Sequence, residues 1–122
     1  EEADVRAFLS KHYTPERILC LWKDGRIVTM GSLFPLSDGG VYLYAFATRK
    51  ECRGQGYGKS FLKRVTEIAG SVLLQPSQNG VAAWYESMGF AVIPKEELFA
   101  ALEVDGFSEL TDGPFEGMKY SV

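Results

Sequence analysis

Apolar residues recur at helical spacing near the start of the chain. Between residues 2 and 13, three of them stand three and four positions apart, namely Val5, Phe8 and Leu9. This spacing predicts an amphipathic helix from Glu2 to Tyr13. We expect the helix to end before Pro15, because the residue ahead of a proline is biased away from helical backbone angles.

The pattern then changes to short β-rich runs separated by glycine-containing turns. Strands are predicted over residues 17–23, 26–34 and 41–48. The first two flank Asp24-Gly25, a pair typical of a two-residue hairpin. The three strands should form an antiparallel meander. Since successive side chains of a strand point to opposite faces, Tyr42, Tyr44 and Phe46 are expected on one face.

The second half of the chain alternates between helices and strands. Apolar spacing predicts helices over residues 61–70, 81–88 and 96–103, and strands over 72–75, 90–93 and 117–122. The strand-helix-strand order from 41 to 93 predicts a mixed α/β sheet whose middle strands are parallel. The last strand is expected to lie antiparallel to the strand at 90–93.

Composition indicates one folded domain covering residues 1–122. The chain is 46% hydrophobic and 24% charged, as in ordinary globular proteins. It has neither an apolar run of the roughly 18 residues that a membrane helix needs nor a basic leader, so we expect a cytoplasmic protein without a membrane partner. The cysteines Cys20 and Cys52 and the single His12 lack the spacing of a disulfide framework or a zinc site, so no metal is expected.

Basic residues are concentrated in one segment of an acidic protein. The net charge is −3, but Arg49 to Arg64 contains six basic residues and one acidic residue, or +5 in 16 residues, which leaves −8 for the rest. Binding to duplex nucleic acid normally requires a broad positive face, so the pattern favours a local anion site and no nucleic-acid partner. A solvated helix face is the alternative.

Three alternating glycines, Gly54, Gly56 and Gly58, lie between a predicted strand and a predicted helix. Without Cβ atoms, their backbone N–H groups can converge on a ligand, and the positive end of the helix dipole favours an anion there. This arrangement is typical of phosphate binding. The alternative is that the glycines serve only close packing at the start of the helix.

Two common phosphate-binding motifs do not fit this loop. Gly58-Lys59-Ser60 matches the end of a Walker A motif, but the first glycine of that motif would have to stand at Arg53, one residue before Gly54. The dinucleotide fingerprint requires G-x-G-x-x-G, whereas the spacing here is G-x-G-x-G. A nucleotide phosphotransferase and a dinucleotide enzyme are therefore both disfavoured.

Two segments resemble motifs of one family. Arg53-Gly54-Gln55-Gly56-Tyr57-Gly58 resembles the [Q/R]-x-x-G-x-[G/A] motif of the GNAT superfamily of N-acetyltransferases, and the segment from Ala83 to Phe90 resembles that family's F-Y-E-x-x-G-F segment. Both occur in the family's order, so the resemblance covers residues 17–93. It implies an acetyl-CoA-dependent acetyltransferase.

The resemblance also implies an architecture. A GNAT-like α/β (α+β) fold has a mixed, mainly antiparallel sheet, flanked by helices, whose central parallel pair splays at the cofactor site. The family's first strand and first helix are expected to be absent here, with residues 2–13 corresponding to its second helix. The edge of the strand at 17–23 would then be free for a partner strand, and a homodimer could form there.

Residue roles follow from the resemblance, with acetyl-CoA as the acetyl donor. It implies contacts to the pantetheine and thioester at Phe46, Ala47 and Thr48, and contacts to the phosphates at Arg53, Gly54, Gln55, Gly56, Tyr57, Gly58 and Lys59. Either Gln78 or Asn79 would contact the cofactor arm. Tyr85 would be the catalytic acid that protonates the CoA thiolate. Helical periodicity alone would instead make Tyr85 one member of a buried apolar stripe.

The implied reaction is direct attack by a neutral amine on the thioester in a ternary complex, with a backbone N–H near Ala47 polarising the carbonyl. The strand at 41–48 carries no carboxylate or histidine, so Tyr42, Tyr44 or a water chain would have to relay the proton, and the base is not identified. An acyl-cysteine at Cys52 is not needed. The alternative is a non-catalytic acyl-CoA-binding or regulatory module. The acceptor amine is not evident from the sequence.

Overall fold

The computed structural model describes residues 4–9, 17–76, 80–111 and 115–121. Its strands are β1 (Asp4–Leu9), β2 (Arg17–Lys23), β3 (Arg26–Pro35), β4 (Val41–Thr48), β5 (Ser71–Leu74), β6 (Ala91–Ile93) and β7 (Gly117–Ser121), and its α-helices are α1 (Tyr57–Ala69), α2 (Ala82–Glu86) and α3 (Lys95–Glu103). Short 3-10 turns span Lys50–Cys52 and Ser108–Leu110. None of the helices in these ranges has both the length and the apolar character needed to cross a membrane.

The seven strands form one mixed sheet in the order β1-β2-β3-β4-β5-β7-β6. The meander β2-β3-β4 is antiparallel, and β4 and β5 are parallel, so both predictions are confirmed. The last strand, β7, lies antiparallel to β6 as expected, and it also separates β6 from β5. This insertion is a long-range pairing that the order of elements along the chain does not reveal.

The helix predicted over residues 2–13 is wrong, because residues 4–9 form strand β1. This strand pairs antiparallel with β2, from Asp4 opposite Trp22 to Leu9 opposite Arg17. An isolated helix of this length is marginal in water, whereas the edge of β2 offers a row of backbone hydrogen-bonding groups. Pairing with that edge satisfies the backbone hydrogen-bonding groups of both segments. The edge of β2 that we expected to be free is therefore occupied by β1.

A β-bulge interrupts the pairing of β3 with β4. Met30 lies opposite Ala47 and Ser32 lies opposite Tyr44, so two residues of β4 share Gly31 as their partner. One of them, Ala45, has a left-handed backbone with φ of 57°. An extra residue of this kind reverses the alternation of side chains beyond it.

The bulge places the aromatic residues of β4 on two faces of the sheet. Tyr42 and Tyr44 belong to the apolar cluster that α3 covers. Phe46 packs on the opposite face, where its ring stacks on that of Phe61 with centroids 5.3 Å apart. The prediction that Phe46 shares a face with the two tyrosines is therefore wrong, because the period of two holds only along a regular strand.

Both faces of the sheet are covered by helices. On one face, α1 buries Phe61, Leu62 and Val65 completely against β-strand side chains, and α2 adds Tyr85 to the same cluster. On the other face, α3 buries Leu98 and Leu102. Burying each side chain of this size contributes roughly 1.5–3 kcal/mol, so these contacts hold the start of α1 and the end of α2 in place against the sheet.

Candidate functional site

The parallel strands β4 and β5 separate after a short paired stretch. Their pairing runs only from Val41 with Val72 to Leu43 with Leu74. Beyond it, β4 continues to Thr48, paired on its other side with β3, whereas β5 ends at Leu74. Along the side of the gap, the last residues of β4 have no strand partner among the described residues. The splayed parallel pair that we expected is therefore present.

The glycine loop joins the end of β4 to α1. Gly54 and Gly56 have φ of 79° and 83°, in the left-handed region that favours glycine. Gly56 caps α1 without a side-chain hydrogen bond, and the first turn of the helix contains no acidic residue. Helices leave their first N–H groups without intrahelical partners, so the start of α1 presents donors and positive potential to an anion.

A cavity of about 520 Å³ lies between this loop, the end of β4 and α2. It is lined by Phe46–Thr48, Cys52–Gly54, Gly56–Lys59, Pro76, Val81, Trp84 and Tyr85. Nearly all of the described residues that the family resemblance assigns to acetyl-CoA binding or catalysis thus line this one cavity. Gln55 is exposed and is not part of the lining. Gln78 and Asn79, like His12, lie outside the described residues.

Only part of the basic segment contributes to this cavity. Arg53 and Lys59 line it, and the Arg53 Nε donates a hydrogen bond to the Thr48 carbonyl at 3.1 Å. Arg49 instead donates to the carbonyl of Ile27 at 2.7 Å. Arg64 is exposed on α1 and forms an ion pair with Glu67 at 3.5 Å. Arg53 and Lys59 thus stay candidates for an anion site, whereas Arg64 lies on a solvated helix face.

Tyr85 lines the cavity and is almost completely buried. Its side chain is 7% exposed, and its ring packs edge-on against Trp84 and Phe90, with centroids 4.9 and 5.7 Å away. Burial raises the pKa of Tyr85 to about 12, because the phenolate is poorly solvated there. The phenol therefore keeps its proton at neutral pH, which a proton donor requires.

A second cavity of about 220 Å³ meets the first at Tyr85. It is lined by Tyr42–Phe46, Leu74–Pro76, Tyr85 and Leu110. Phe46, Pro76 and Tyr85 line both spaces. In the part of the chain that the structure describes, the side chains lining the two cavities include no carboxylate and no histidine.

Sequence reasoning missed several residues of the larger cavity. Trp84 is 40% exposed beside Tyr85, and a Cβ atom added at Gly58 would lie 3.7 Å from its ring. The one sequence feature that could have indicated Trp84 is its position inside the family-like segment from Ala83 to Phe90. Thr29 is buried and shares a hydrogen bond of 2.9 Å with the Thr48 hydroxyl, which fixes a side chain of the lining. A pairing between strands of this kind leaves no local mark in the sequence.

The family model described as an acetyltransferase (GNAT) domain matches residues 14–92. No protein among the curated ones matches the chain. The family match thus covers most of the sheet, the glycine loop and α2.

The fold is similar to those of solved acetyltransferases. A GNAT family acetyltransferase from Elizabethkingia anophelis with acetyl-CoA bound has a TM-score of 0.69 and 12% identity, with 98% of each chain covered. The PaiA N-acetyltransferase from Thermoplasma acidophilum in complex with coenzyme A has a TM-score of 0.63 and 19% identity, covering 86% of this chain and 60% of that one. This chain thus spans 60% of the length of the Thermoplasma protein. Identities this low indicate likeness of fold.

Proposed function

This chain belongs to the GNAT acetyltransferase family, and we propose that it transfers an acetyl group from acetyl-CoA to an amine. One observation carries the proposal. The larger cavity joins the N–H groups at the start of α1, the unpaired side of β4 and the phenol of Tyr85 in one continuous space. Those three features suit a pyrophosphate, an amide-containing arm and a departing thiolate, in that order.

The residues of the cavity fit this donor in size and charge. A space of about 520 Å³ lies within the usual range for small-molecule sites. Arg53 and Lys59 supply positive charge beside the start of α1 for the phosphates, and Gly54 and Gly56 let the backbone approach them. On the open side of β4, the backbone groups that do not pair with β3 are available to pair with the amides of the pantetheine arm, whereas the Thr48 carbonyl already accepts a hydrogen bond from Arg53 Nε.

The chemistry would then depend on two groups of this chain. A backbone N–H near Ala47 polarises the thioester carbonyl as the neutral amine attacks it. As the C–N bond forms and the C–S bond breaks, the nitrogen loses one proton to water and the sulfur gains one. Tyr85 is the donor to sulfur and takes a replacement proton from water. Placing both reactants next to one phenol supplies the orientation that direct transfer requires.

Binding of acetyl-CoA is the first test, measured by thermal unfolding and by tryptophan fluorescence. A ligand at about 100 times its dissociation constant stabilises a protein by roughly 2.7 kcal/mol. Trp84 lines the cavity, so its fluorescence should change on binding. ATP with magnesium serves as the comparison ligand and should have no such effect. Stabilisation by ATP with magnesium and not by acetyl-CoA would refute the proposal.

A matched pair of variants tests the site itself. Arg53→Ala removes a cation that lines the cavity, whereas Arg64→Ala removes one on the exposed side of α1. A hydrogen bond to a charged group is worth about 1.5–3 kcal/mol, so Arg53→Ala should weaken acetyl-CoA binding about tenfold or more. Arg64→Ala should leave it nearly unchanged. Equal losses in both would mean that overall charge, and not this cavity, determines the affinity.

A non-catalytic acyl-CoA-binding module is the second candidate. One observation favours it: in the described residues, no carboxylate or histidine lines either cavity to accept the proton of the amine. Acetyl-CoA binding without release of free CoA over a broad panel of amines would support this candidate over the enzyme. CoA release with any amine, measured with a thiol reagent, would exclude it.

A further inference from the structure

The smaller cavity has an aromatic and uncharged lining. Four aromatic side chains face it, those of Tyr42, Tyr44, Phe46 and Tyr85, and Leu110 borders it from beyond α3. Of the described residues that line it, none carries a charge at neutral pH, and the only ionisable groups are three phenols. A ligand bound in the smaller cavity would lie next to Tyr85 and next to the larger cavity.

We propose that the smaller cavity binds the acceptor, and that this acceptor is a weakly basic aromatic amine with a single ring. The inference rests on the acetyl transfer proposed above and specifies its substrate class. Three properties of the cavity lead to it, namely its size, its lack of charge and the absence of a described base.

The size of the smaller cavity suits an acceptor of about one ring. A cavity of 150 Å³ lined by apolar side chains is large enough to bind benzene. The smaller cavity, at about 220 Å³, therefore accommodates one ring with its amino group and a small substituent. Aromatic rings prefer edge-on or offset contacts, and the rings of Phe46, Tyr44 and Tyr85 border the space where a ligand ring would lie.

Charge argues against a strongly basic amine. An ammonium group loses its hydration when it is buried, and the described lining offers no carboxylate to compensate for that loss. Tyr85 borders the same cavity, and burial raises the pKa of its phenol to about 12 because a charged group is poorly solvated there. An amine with a pKa near that of lysine is neutral in only about one molecule in a thousand at pH 7.4. An aromatic amine is almost wholly neutral at that pH.

A weakly basic acceptor also removes the need for a base before attack. An amine that enters neutral already has a free lone pair. After the C–N bond forms, its nitrogen is strongly acidic and loses its proton to water. The departing sulfur receives a proton from Tyr85, so the products are the anilide and free CoA. No further reactant is required, which agrees with a lining that contains no carboxylate or histidine among the described residues.

Aniline and cyclohexylamine provide a matched test, since they have the same ring size and differ in basicity. CoA release would be followed with each amine between pH 6.5 and 8.5. We expect kcat/KM for aniline to exceed that for cyclohexylamine at least tenfold at pH 7. The ratio should fall about tenfold per pH unit, because only the neutral fraction of cyclohexylamine changes. Preference for cyclohexylamine at pH 7, or a ratio independent of pH, would overturn the inference.

A second experiment tests the location. Leu110→Trp fills the smaller cavity, whereas Val104→Trp makes the same change at a residue that is 76% exposed and lines neither cavity. Leu110→Trp should raise KM for aniline at least tenfold with acetyl-CoA affinity retained, which also shows that the variant is folded. Val104→Trp should change neither value. Equal KM values in both variants would place the acceptor elsewhere.

The two proposals can fail separately. Acetyl-CoA binding with transfer to cyclohexylamine but not to aniline would overturn the acceptor class and leave acetyl transfer intact. Acetyl-CoA binding without transfer to either amine would also count against the acceptor class. Failure to bind acetyl-CoA at all would overturn the proposed function first, and the acceptor inference with it.

Discussion

Replacing Tyr85 with phenylalanine should change how the stability of the protein depends on pH. The phenol is 7% exposed, and burial raises its pKa from 10.0 to about 12. A group whose pKa is higher in the folded state contributes stability below its unfolded pKa and loses it as pH rises through the folded value. Stability from Tyr85 should therefore be complete below pH 10 and should be lost towards pH 12.

The size of the effect follows from the two pKa values. Each pKa unit corresponds to 1.36 kcal/mol, so the full shift is worth about 2.7 kcal/mol. At pH 11, midway between the two values, about half of this has been lost. The free energy of unfolding of the wild type, relative to that of Tyr85→Phe, should thus fall by about 1.4 kcal/mol between pH 8 and pH 11.

Urea denaturation of both proteins at the two pH values measures this difference directly, since other ionisable groups cancel in the comparison. Val65→Ala is the control, because it lowers stability at a fully buried position without removing an ionisable group. Its difference from the wild type should be the same at both pH values. If Tyr85→Phe shows the same constancy, burial does not raise the pKa of the phenol, and the argument from desolvation at Tyr85 is wrong.

Two further predictions concern glycines that shape the site. Gly31→Ala should lower the free energy of unfolding, measured by urea denaturation, by about 1–3 kcal/mol. The reason is that the new Cβ would lie 2.7 Å from Leu43 Cδ1 and 3.3 Å from Phe61 Cζ. A change near zero would mean that these core side chains move aside at little energetic cost. Gly56→Ala should cost about 1–2 kcal/mol for its left-handed backbone at φ of 83°, whereas Gly58→Ala, whose Cβ meets only ordinary contacts of 3.6 Å or more, should cost little. Thermal unfolding of the pair checks this, and equal costs would contradict the argument from backbone angle.

Local signals in the sequence predicted the glycine loop and the elements on either side of it. Gly54 and Gly56 mark a backbone that other residues rarely adopt, and the apolar spacing after them matches the buried face of α1. Asp24-Gly25 marked the hairpin between β2 and β3 in the same way. Each of these features depends on neighbours in the chain, so each could be predicted without the fold.

The features that were predicted wrongly or not at all depend on contacts between residues that are distant in the sequence. The spacing of Val5, Phe8 and Leu9 suits a helix, but the edge of β2 determines the outcome. At the bulge, Ala45 adopts a left-handed backbone conformation that is usually occupied by glycine. An alanine at this position therefore does not predict a bulge. The loss of alternation at Phe46 follows from that single residue. The smaller cavity was missed for the same reason, because its walls come from segments far apart in sequence.

The bulge at Ala45 also separates two kinds of evolutionary change along one strand. Residues 42–45 border only the smaller cavity, Ala47 and Thr48 border only the larger one, and Phe46 borders both. Under the proposed assignment of the two cavities, substitutions before the bulge would change the preference for the acceptor amine without disturbing the binding of acetyl-CoA. A lineage that diversifies its acceptors would accumulate changes at Tyr42 and Tyr44 while the residues that border the larger cavity, Phe46 to Thr48, stay constant. In laboratory evolution, the same division identifies Tyr44 as a position to randomise and Ala47 as one to leave alone.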